Sequence, residues 1–282
     1  MKTKRYAVIG HPIGHTMSPF IHKRLFELAQ IDAQYSVLDI APENLQFEFE
    51  NTLKNLDGFN ITIPHKASII NCLDKLDSKA SMYGSVNTVD NKNGIYTGYT
   101  TDPDGFVKAL KAYDIPFKDK VVIVGTGGVA RIMAYEAVKA ECDLTIAVRN
   151  EDLEVVKTLE LEIKETFKKD VLKTCTIDML NGADIDLLVN ATPVGMYPNI
   201  EFCPVSDNVI SRCKNVFDAV YNPLETVLVQ KAKAQGSRAV GGMSMLVWQA
   251  VVSHNIWDGS QYDNSDIDKL CIDSAKQLKA NF

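Results

Sequence analysis

The sequence predicts a two-domain α/β fold, with an N-terminal α/β domain built on a mostly parallel sheet and a C-terminal domain of Rossmann type. Short β-branched runs alternate with amphipathic helical stretches, which is typical of parallel sheets covered by helices. The apolar run Val121–Val124 leads directly into a glycine-rich turn and a helix. The length of 282 residues is enough for two domains of ordinary size.

The first hundred residues alternate strand and helix patterns and end in a hairpin. The turn sequence Asn91–Gly94 joins two strand-like runs, and such a sequence favours a hairpin. Helices are expected over Phe20–Ala29, over Glu43–Lys54 and in the stretch after Pro64. Strands are expected at Tyr6–Ile9, Tyr35–Ile40, Phe59–Ile63, Val86–Asp90 and Ile95–Tyr99.

The pattern changes around Thr101–Gly105, and a helix over Asp104–Tyr113 opens the second part. Later strands and helices are expected at Val121–Val124, Leu144–Val148, Asp186–Asn190, Val216–Asp218, Ala239–Val240, Met243–His254 and Ile267–Lys279. We therefore expect one domain at residues 1–102 and a second at 103–242. The terminal helices, about residues 243–282, are expected to pack back on the first domain.

Composition and charge argue against several classes of protein. The 30 basic and 36 acidic residues give a formal charge of −6 without a basic block, so no nucleic-acid partner is expected. No run approaches the ~18 apolar residues of a membrane span, and Tyr6–Ile9 is too short for a signal peptide. The six cysteines form no CxxC pair, and His11 and His15 have no carboxylate alongside, so no metal site is expected. A cytoplasmic protein without a membrane partner is predicted.

A glycine-rich turn after the strand Val121–Val124 predicts a dinucleotide site. Glycines let the backbone approach a pyrophosphate, and the helix that follows offers unpaired N–H groups and a positive dipole end. The turn reads Gly125-Thr126-Gly127-Gly128-Val129-Ala130-Arg131. Glycine-rich turns between a strand and a helix also occur for purely geometric reasons, and the turn alone leaves that alternative open.

Arg149, at the end of the next strand, favours NADP over NAD. NAD enzymes usually place an acidic residue there for the ribose 2′-OH, whereas a guanidinium can pair with a 2′-phosphate. Asn150 follows, and then come Glu151 and Asp152, whose charge would weaken a phosphate site. A solvated surface arginine is the alternative interpretation, and NAD stays open as a weaker cofactor.

Polar residues in loops and at strand ends predict a small-molecule site in the first domain. Thr16 and Ser18 place two hydroxyls before a helix, where they can hold a carboxylate, although Ser18 equally suits a plain N-cap. Lys66 follows the third strand closely. If Lys66 meets Asp102 across a cleft, the pair can move a proton while hydride is transferred. Helix capping by Asp102 is the alternative.

Eight motifs in order resemble those of the shikimate dehydrogenase family. They are Gly10–His22, Asn60–Lys66, Gly84–Thr88, Thr101–Gly105, Gly125–Arg131, Asn190–Met196, Asp218–Thr226 and Gly241–Gln249. The resemblance implies NADPH-dependent reduction of 3-dehydroshikimate to shikimate, in aromatic amino acid (chorismate) biosynthesis. It also implies an N-terminal substrate domain and a Rossmann domain, with the terminal helices returning to the first. Monomer and homodimer both stay open.

The resemblance implies a role for each residue that matches the family's motifs. Lys66 and Asp102 look like the catalytic pair. The residues that resemble substrate-binding groups are Thr16, Ser18 and Tyr221 at the ring carboxylate, and Thr62, Asn87, Asp102 and Gln249 at the ring hydroxyls. The residues that resemble cofactor-binding groups are Gly125, Thr126, Gly127, Gly128, Val129, Ala130, Arg131, Arg149, Asn150, Ala219 and Gly242, together with the loop that begins at Asn190.

Three departures from the family's pattern leave alternatives open. Thr16 stands where serine is common, Thr100 where asparagine is usual, and Leu153 where the family has a second arginine. One cation remains where two are usual, which weakens discrimination against NAD, because a lost charged hydrogen bond is worth ~1.5–3 kcal/mol. The alternatives are a quinate/shikimate dehydrogenase with broader substrate or NAD use, and a non-catalytic dinucleotide-binding regulator.

Overall fold

Two six-stranded sheets organise the chain, one in each of two units. The computed structural model describes residues 3–14, 16–169 and 171–281. The first unit contains Met1–Asp104 and Val247–Phe282, and the second contains Gly105–Leu246. The α/β fold class predicted from the sequence is confirmed. Among the described residues, no helix is both long and apolar enough to cross a bilayer.

The first part of the chain alternates strands and helices before it ends in a hairpin and a helix. In chain order the elements are β1 (Lys4–Gly10), α1 (Ser18–Leu28), β2 (Ala33–Asp39), α2 (Leu45–Asn51), β3 (Gly58–Ile61), β4 (Lys75–Leu76), α3 (Ser78–Tyr83), β5 (Thr88–Lys92), β6 (Ile95–Tyr99) and α4 (Asp102–Ala112).

The remaining part of the chain repeats a strand–helix alternation and ends in two long helices. In chain order the elements are β7 (Lys120–Val124), α5 (Gly128–Lys139), β8 (Asp143–Val148), α6 (Leu153–Phe167), β9 (Leu172–Thr176), β10 (Ile185–Asn190), α7 (Asp207–Ile210), β11 (Cys213–Asp218), α8 (Val227–Ala234), β12 (Arg238–Val240), α9 (Met243–Asp258) and α10 (Asn264–Asn281).

The first sheet is mixed and has the strand order β2-β1-β3-β5-β6-β4. β1 pairs in parallel with β2 and β3, and β4 with β6, whereas β5 runs antiparallel to both of its neighbours. Asn93 and Gly94 turn the chain between β5 and β6 with φ values of 56° and 80°. Positive φ at two successive positions suits a tight hairpin, so the predicted hairpin is confirmed.

Apolar side chains cover both faces of the first sheet, because successive strand residues point to opposite sides. On one face, Phe49 of α2 is buried against Phe59 of β3. On the other, Trp257 of α9 stacks on Tyr6 with a ring-centroid distance of 4.5 Å. The Trp257 indole N–H also donates to the Val89 carbonyl at 2.9 Å. These contacts fix the C-terminal half of α9 on the sheet.

The second sheet is entirely parallel and has the order β12-β11-β10-β7-β8-β9. The chain runs outward from β7 to β9 and then returns to β10 on the other side of β7. In such a doubly wound sheet, ligands bind beyond the carboxyl ends of the strands where the order reverses. The glycine turn follows β7 and Asn190 ends β10, so both lie at that point. The predicted Rossmann-type arrangement is confirmed.

Several elements differ from the sequence-based prediction. α6, β9 and α8 lie where no element is predicted. Dense charges along α6 obscure its buried stripe of Val156, Leu159 and Ile163, whose spacing is helical. The helix expected after Pro64 is a short 3-10 turn at Ser68–Cys72 instead.

Candidate functional site

Thr16 and Ser18 contact each other at the start of α1. The Thr16 hydroxyl lies 3.1 Å from the Ser18 hydroxyl, and the Ser18 N–H donates to Thr16 Oγ1 at 3.2 Å. Met17 occupies the cap position and Ser18 is the first helical residue, so the predicted N-cap role of Ser18 is wrong. Pro19 follows as the second residue of the helix. The two hydroxyls are therefore held together at a helix start.

The phenol of the half-buried Tyr35 joins Ser18 to Asn60. The Asn60 Nδ2 atom lies 3.2 Å from the Asn87 carbonyl oxygen, which can only accept, so the orientation of the amide is fixed. Tyr35 must then donate to Asn60 Oδ1, at 2.7 Å, and its oxygen accepts from the Ser18 hydroxyl. Burial raises the pKa of Tyr35 well above its ordinary value. The phenol consequently stays protonated and remains a hydrogen-bond donor to Asn60.

Thr88 and Ser253 extend this network to α9. Both hydroxyls lie 3.1 Å from Asn60 Nδ2, and they lie 2.9 Å from each other. Ser253 also donates to the Gln249 carbonyl at 3.1 Å. Gln249 itself is half-buried on α9. No role is predicted from the sequence for Tyr35, Thr88 or Ser253. Thr88 and Ser253 are 165 positions apart, and such residues give no local signal of contact.

Asn87 holds the residue that precedes Asp102. Its side-chain oxygen accepts from the Thr101 N–H at 2.8 Å, and its Nδ2 donates to Thr101 Oγ1 at 3.0 Å. Both residues are buried. Because Thr101 directly precedes α4, these bonds fix where Asp102 begins that helix.

Lys66 and Asp102 form an ion pair, with Lys66 Nζ 2.8 Å from Asp102 Oδ2. The two residues are 36 positions apart, one after β3 and one at the first position of α4. Their exposure differs strongly, since the Lys66 side chain is 25% exposed and that of Asp102 only 3%. The structure thus brings together the ammonium and carboxylate that the sequence analysis selected, with the ammonium on the more open side.

Thr62 directly follows β3 and is half-buried. Its N–H donates to the Ile9 carbonyl at 2.9 Å, which continues the contact between β3 and β1. A Cβ on Gly10 would lie 2.5 Å from Thr62 Cγ2, so the end of β1 passes this close to Thr62 only because residue 10 is glycine. Tyr221 belongs to the second unit, where burial raises its pKa.

In the second unit, the turn after β7 leaves open space at a helix start. Gly125 has φ of +113°, and a Cβ there would lie 2.8 Å from Thr192 Cγ2. A Cβ on Gly127 or Gly128 would meet nothing within 4 Å. Gly127 caps the 12-residue helix α5, whose first N–H groups have no partners within the helix. The turn therefore fits a dinucleotide pyrophosphate, which needs close backbone approach and free N–H donors.

The two arginines of the predicted cofactor site have different partners. Arg131, on α5, pairs with Glu162 of α6 at 2.7 Å, so its side chain is used within the protein. Arg149 follows β8 and is 66% exposed. Its Nε donates to Asp152 Oδ2 at 2.8 Å, and this hydrogen bond raises the pKa of the guanidinium. Asn150 opens the short 3-10 helix that brings Asp152 back to Arg149.

A buried carboxylate, Asp218, ties two loops of the second unit together. Its Oδ1 accepts from Asn190 Nδ2 at 2.9 Å and from the Val220 N–H at 3.0 Å, while Oδ2 accepts from the Thr226 hydroxyl at 2.6 Å. Burial raises its pKa to about 6, against the effect of these hydrogen bonds. No role is predicted from the sequence for Asp218, although an acidic residue at the end of a buried strand was the available signal.

The backbones of Ala219 and Gly242 meet beside this carboxylate. The Ala219 N–H donates to the Asn190 carbonyl at 2.9 Å, and the Gly242 N–H donates to the Val220 carbonyl at 2.9 Å. A Cβ on Gly242 would lie 2.2 Å from the Ala219 oxygen, so this approach requires glycine. The loop that begins at Asn190 and the backbones of Ala219 and Gly242 therefore form one cluster in the second unit.

The described histidines have structural partners. His22 Nδ1 lies 3.2 Å from His254 Nε2 in the first unit, and both rings are buried. His65 contacts the Ile40 carbonyl at 2.7 Å, and His11 contacts Asp39 at 2.7 Å. His15 lies outside the described residues. Among those described, no group of three or more histidine, cysteine or acidic side chains is arranged to hold a metal ion.

Comparisons with known proteins give a consistent result. A family model described as the shikimate dehydrogenase substrate binding domain matches residues 8–89. The chain is 38% identical over 267 residues to shikimate dehydrogenase (NADP(+)) of Caldanaerobacter subterraneus, which covers 93% of this chain and 94% of the relative.

Two solved structures are similar to the whole fold. Shikimate 5-dehydrogenase of Thermus thermophilus, in complex with NADP(H) and shikimate, has a TM-score of 0.84 at 29% identity and covers 96% of this chain and 99% of that one. The enzyme of Listeria monocytogenes, in complex with shikimate and NAD, has a TM-score of 0.84 at 29% identity and covers 95% and 96%.

Proposed function

Because this chain belongs to the shikimate dehydrogenase family, we propose that it catalyses the reversible NADPH-dependent reduction of 3-dehydroshikimate to shikimate. This reaction places the enzyme in aromatic amino acid (chorismate) biosynthesis. The observation that supports the chemistry best is the 2.8 Å contact between Lys66 and Asp102. A reduction of a ketone needs a proton for the oxygen as well as a hydride for the carbon, and this pair can supply the proton.

NADPH, when bound, supplies the hydride. Lys66 donates a proton from Nζ to the ketone oxygen as negative charge develops there, and the reverse reaction returns that proton to the amine. The more open position of Lys66 assigns the proton transfer to Lys66 rather than to Asp102. The buried Asp102 carboxylate holds the ammonium in place, so the proton source is positioned before substrate arrives.

The substrate is a carboxylated ring that carries several hydroxyls. We assign the carboxylate to Thr16 and Ser18, whose linked hydroxyls stand at a helix start. Tyr221 is also assigned to substrate binding. The ring hydroxyls are assigned to Thr62, Asn87 and Gln249, and to Asp102. Thr16 adds a methyl group to the carboxylate pocket where serine is common in the family, so the pocket is narrower.

For the cofactor, the space at Gly127 and Gly128 fits the pyrophosphate, and Arg149 is the cation for the 2′-phosphate. Ala219 and Gly242, with the loop from Asn190, are assigned to the nicotinamide side. We assign substrate binding to residues 1–102 with the terminal helices 243–282, and dinucleotide binding to residues 103–242. The enzyme is proposed to act in the cytoplasm as a monomer or a homodimer.

Initial rates of shikimate and quinate oxidation, each with NADP and with NAD, test the proposal through absorbance of the reduced nicotinamide. Strong preference for shikimate with NADP is the expected result. Comparable rates with quinate or NAD would instead support the quinate/shikimate alternative, which Thr16 and the acid-paired Arg149 favour. Binding of both ligands without turnover would contradict catalysis and support a regulator.

A further inference from the structure

Arg149 occupies the position whose side chain contacts the adenosine ribose in dinucleotide-binding folds. It follows β8 directly, and β8 is the strand next to β7, which carries the glycine turn. In this fold class, the residue at the end of that strand separates NAD from NADP, because the two cofactors differ at the ribose 2′ position.

The guanidinium of Arg149 is already paired with two carboxylates. Asp152 Oδ2 lies 2.8 Å from Nε, and Glu151 Oε1 lies 3.3 Å from Nη1. Glu151 is 63% exposed, whereas Asp152 is only 28% exposed. The 3-10 helix Asn150–Asp152 turns both acids toward the arginine, and Asp152 pairs with it at a spacing of three residues. One positive and two negative side chains therefore share this turn.

We infer that Glu151 and Asp152 are specificity-determining residues that lower the preference of this enzyme for NADP over NAD. The inference rests on the proposed cofactor role of Arg149. A 2′-phosphate carries roughly one and a half to two negative charges near pH 7 and must displace the carboxylates to form a bidentate contact with the guanidinium. The same carboxylates then repel it at close range.

NAD binding requires no displacement of the carboxylates and meets no charge repulsion, because a ribose 2′-OH is neutral. NAD can bind while Arg149 remains paired with its acids, and a nearby carboxylate can accept a hydrogen bond from the 2′-hydroxyl. The two acids thus act selectively against the phosphorylated cofactor. They reduce the preference for NADP over NAD that an unpaired arginine at this position would give.

Calorimetric dissociation constants for NADP and for NAD, in the absence of substrate, test the inference. Asp152→Asn should tighten NADP binding by about fivefold and Glu151→Gln by about twofold to threefold, since exposed charge pairs are weak individually and screened by salt. NAD binding should change less than twofold in both variants. Arg149→Ala should weaken NADP binding and leave NAD nearly unchanged.

Asp184→Asn is the matched control. Asp184 is 74% exposed and pairs with Arg212 at 2.9 Å, so the substitution also removes one carboxylate from an exposed arginine pair. Asp184 precedes β10 at the amino edge of the same parallel sheet, whereas Arg149 lies past the carboxyl edge. If Asp184→Asn tightens NADP binding as much as Asp152→Asn does, the effect comes from net charge alone and the inference is overturned.

An unchanged ratio of NADP to NAD affinity in Asp152→Asn and Glu151→Gln would also overturn it, whatever the activity of these variants. Failure of the wild-type enzyme to oxidise shikimate would contradict the proposed function instead. Because the binding measurement uses cofactor alone, the two failures are distinguishable.

Discussion

Lys66 and Asp102 differ in exposure, and this difference separates their roles. An ammonium that is one quarter exposed can reach both a ligand and solvent, while a carboxylate that is almost fully buried is shielded from solvent. Spacing in the sequence gives no reason for residues 36 positions apart to meet, so the residues suggest the pair only as a hypothesis and the resemblance to a family selects it. The structure adds the physical reason, because β3 and α4 place both at one end of the first sheet.

Lys66→Met should lower kcat by about two to four orders of magnitude and change KM for shikimate little, because a positioned general acid contributes on that scale. Steady-state kinetics of shikimate oxidation provide the measurement. Lys23→Met, at an exposed position of α1, is the control and should leave both constants unchanged. An effect confined to KM would show that Lys66 only binds.

Tyr35→Phe should raise KM for shikimate about threefold to tenfold with little change in kcat. The variant leaves Asn60 Oδ1 and the Ser18 hydroxyl without their common partner, and a lost buried hydrogen bond is worth about 1 kcal/mol. Kinetics and the dissociation constant of shikimate provide the readouts.

Tyr262→Phe is the control for Tyr35→Phe. It removes a phenol that contacts His254 at 2.8 Å, so it should lower stability without raising KM. Equal KM values in wild type and Tyr35→Phe would show that the phenol does not position Ser18.

At the scale of secondary-structure elements, local chemistry explains why some predictions succeeded. Asn93 and Gly94 accept positive φ, so the hairpin is specified by its own turn. β7 and the glycine turn are likewise specified locally. α6 shows the opposite case, because its stripe of Val156, Leu159 and Ile163 is masked by charged neighbours. The 3-10 turn that replaces the helix expected after Pro64 depends on contacts that are distant in sequence. One of them is the hydrogen bond from the Val86 N–H to the Lys66 carbonyl, at 2.8 Å.

Asp218→Asn should weaken NADP binding by about tenfold and leave shikimate binding unchanged. The carboxylate accepts from three donors, and an amide places its own N–H group against one of them, which loosens the loops after β10 and β11. Asp186→Asn, at the amino end of β10, is the control and should bind NADP normally.

The same carboxylate predicts a pH effect on cofactor binding. Its pKa is raised to about 6, so it gains a proton as pH falls through 6, and one accepting oxygen becomes a hydroxyl donor. NADP affinity should therefore fall below pH 6 in the wild type through a step that is missing in Asp218→Asn. Titration of the 2′-phosphate affects both proteins equally. A step of the same size in the variant would assign it to another group.

At the scale of the whole molecule, each sheet is specified by its own alternation of strands and helices, which is why the fold class could be predicted from the sequence. The polar networks could not be predicted in the same way. Ser253 reaches Asn60 across 193 positions, and His22 reaches His254 across 232. Such contacts follow from the return of α9 to the first sheet, and no local pattern encodes them.

The buried His22–His254 pair predicts acid sensitivity of the first unit. Burial lowers the pKa of both rings, that of His254 to about 4 from an ordinary 6.5, although Asp258 at 3.9 Å opposes this. Between about pH 4 and pH 6.5, the His254 ring is protonated in the unfolded chain but neutral in the folded one. Stability is therefore complete above about pH 6.5 and falls as pH approaches 4, by about 3 kcal/mol for His254.

Hydrogen exchange of the α1 and α9 amides at pH 7 and pH 5, corrected for the intrinsic rate, measures this loss. His254→Gln should reduce the difference in protection between the two pH values, whereas His11→Gln, at an exposed position, should not. Equal pH dependence in His254→Gln and the wild type would show that the buried pair is not the acid-sensitive element.

The position of α9 also determines what the intrinsic fluorescence of this chain reports. Both tryptophans, Trp248 and Trp257, lie on α9 within the first unit, and residues 105–246 contain none. Emission excited at long wavelength therefore follows the first unit alone, while far-ultraviolet circular dichroism follows both. If the two curves of a denaturant titration separate, the units unfold independently, and each acquires its own free energy of unfolding without any labelling of the protein.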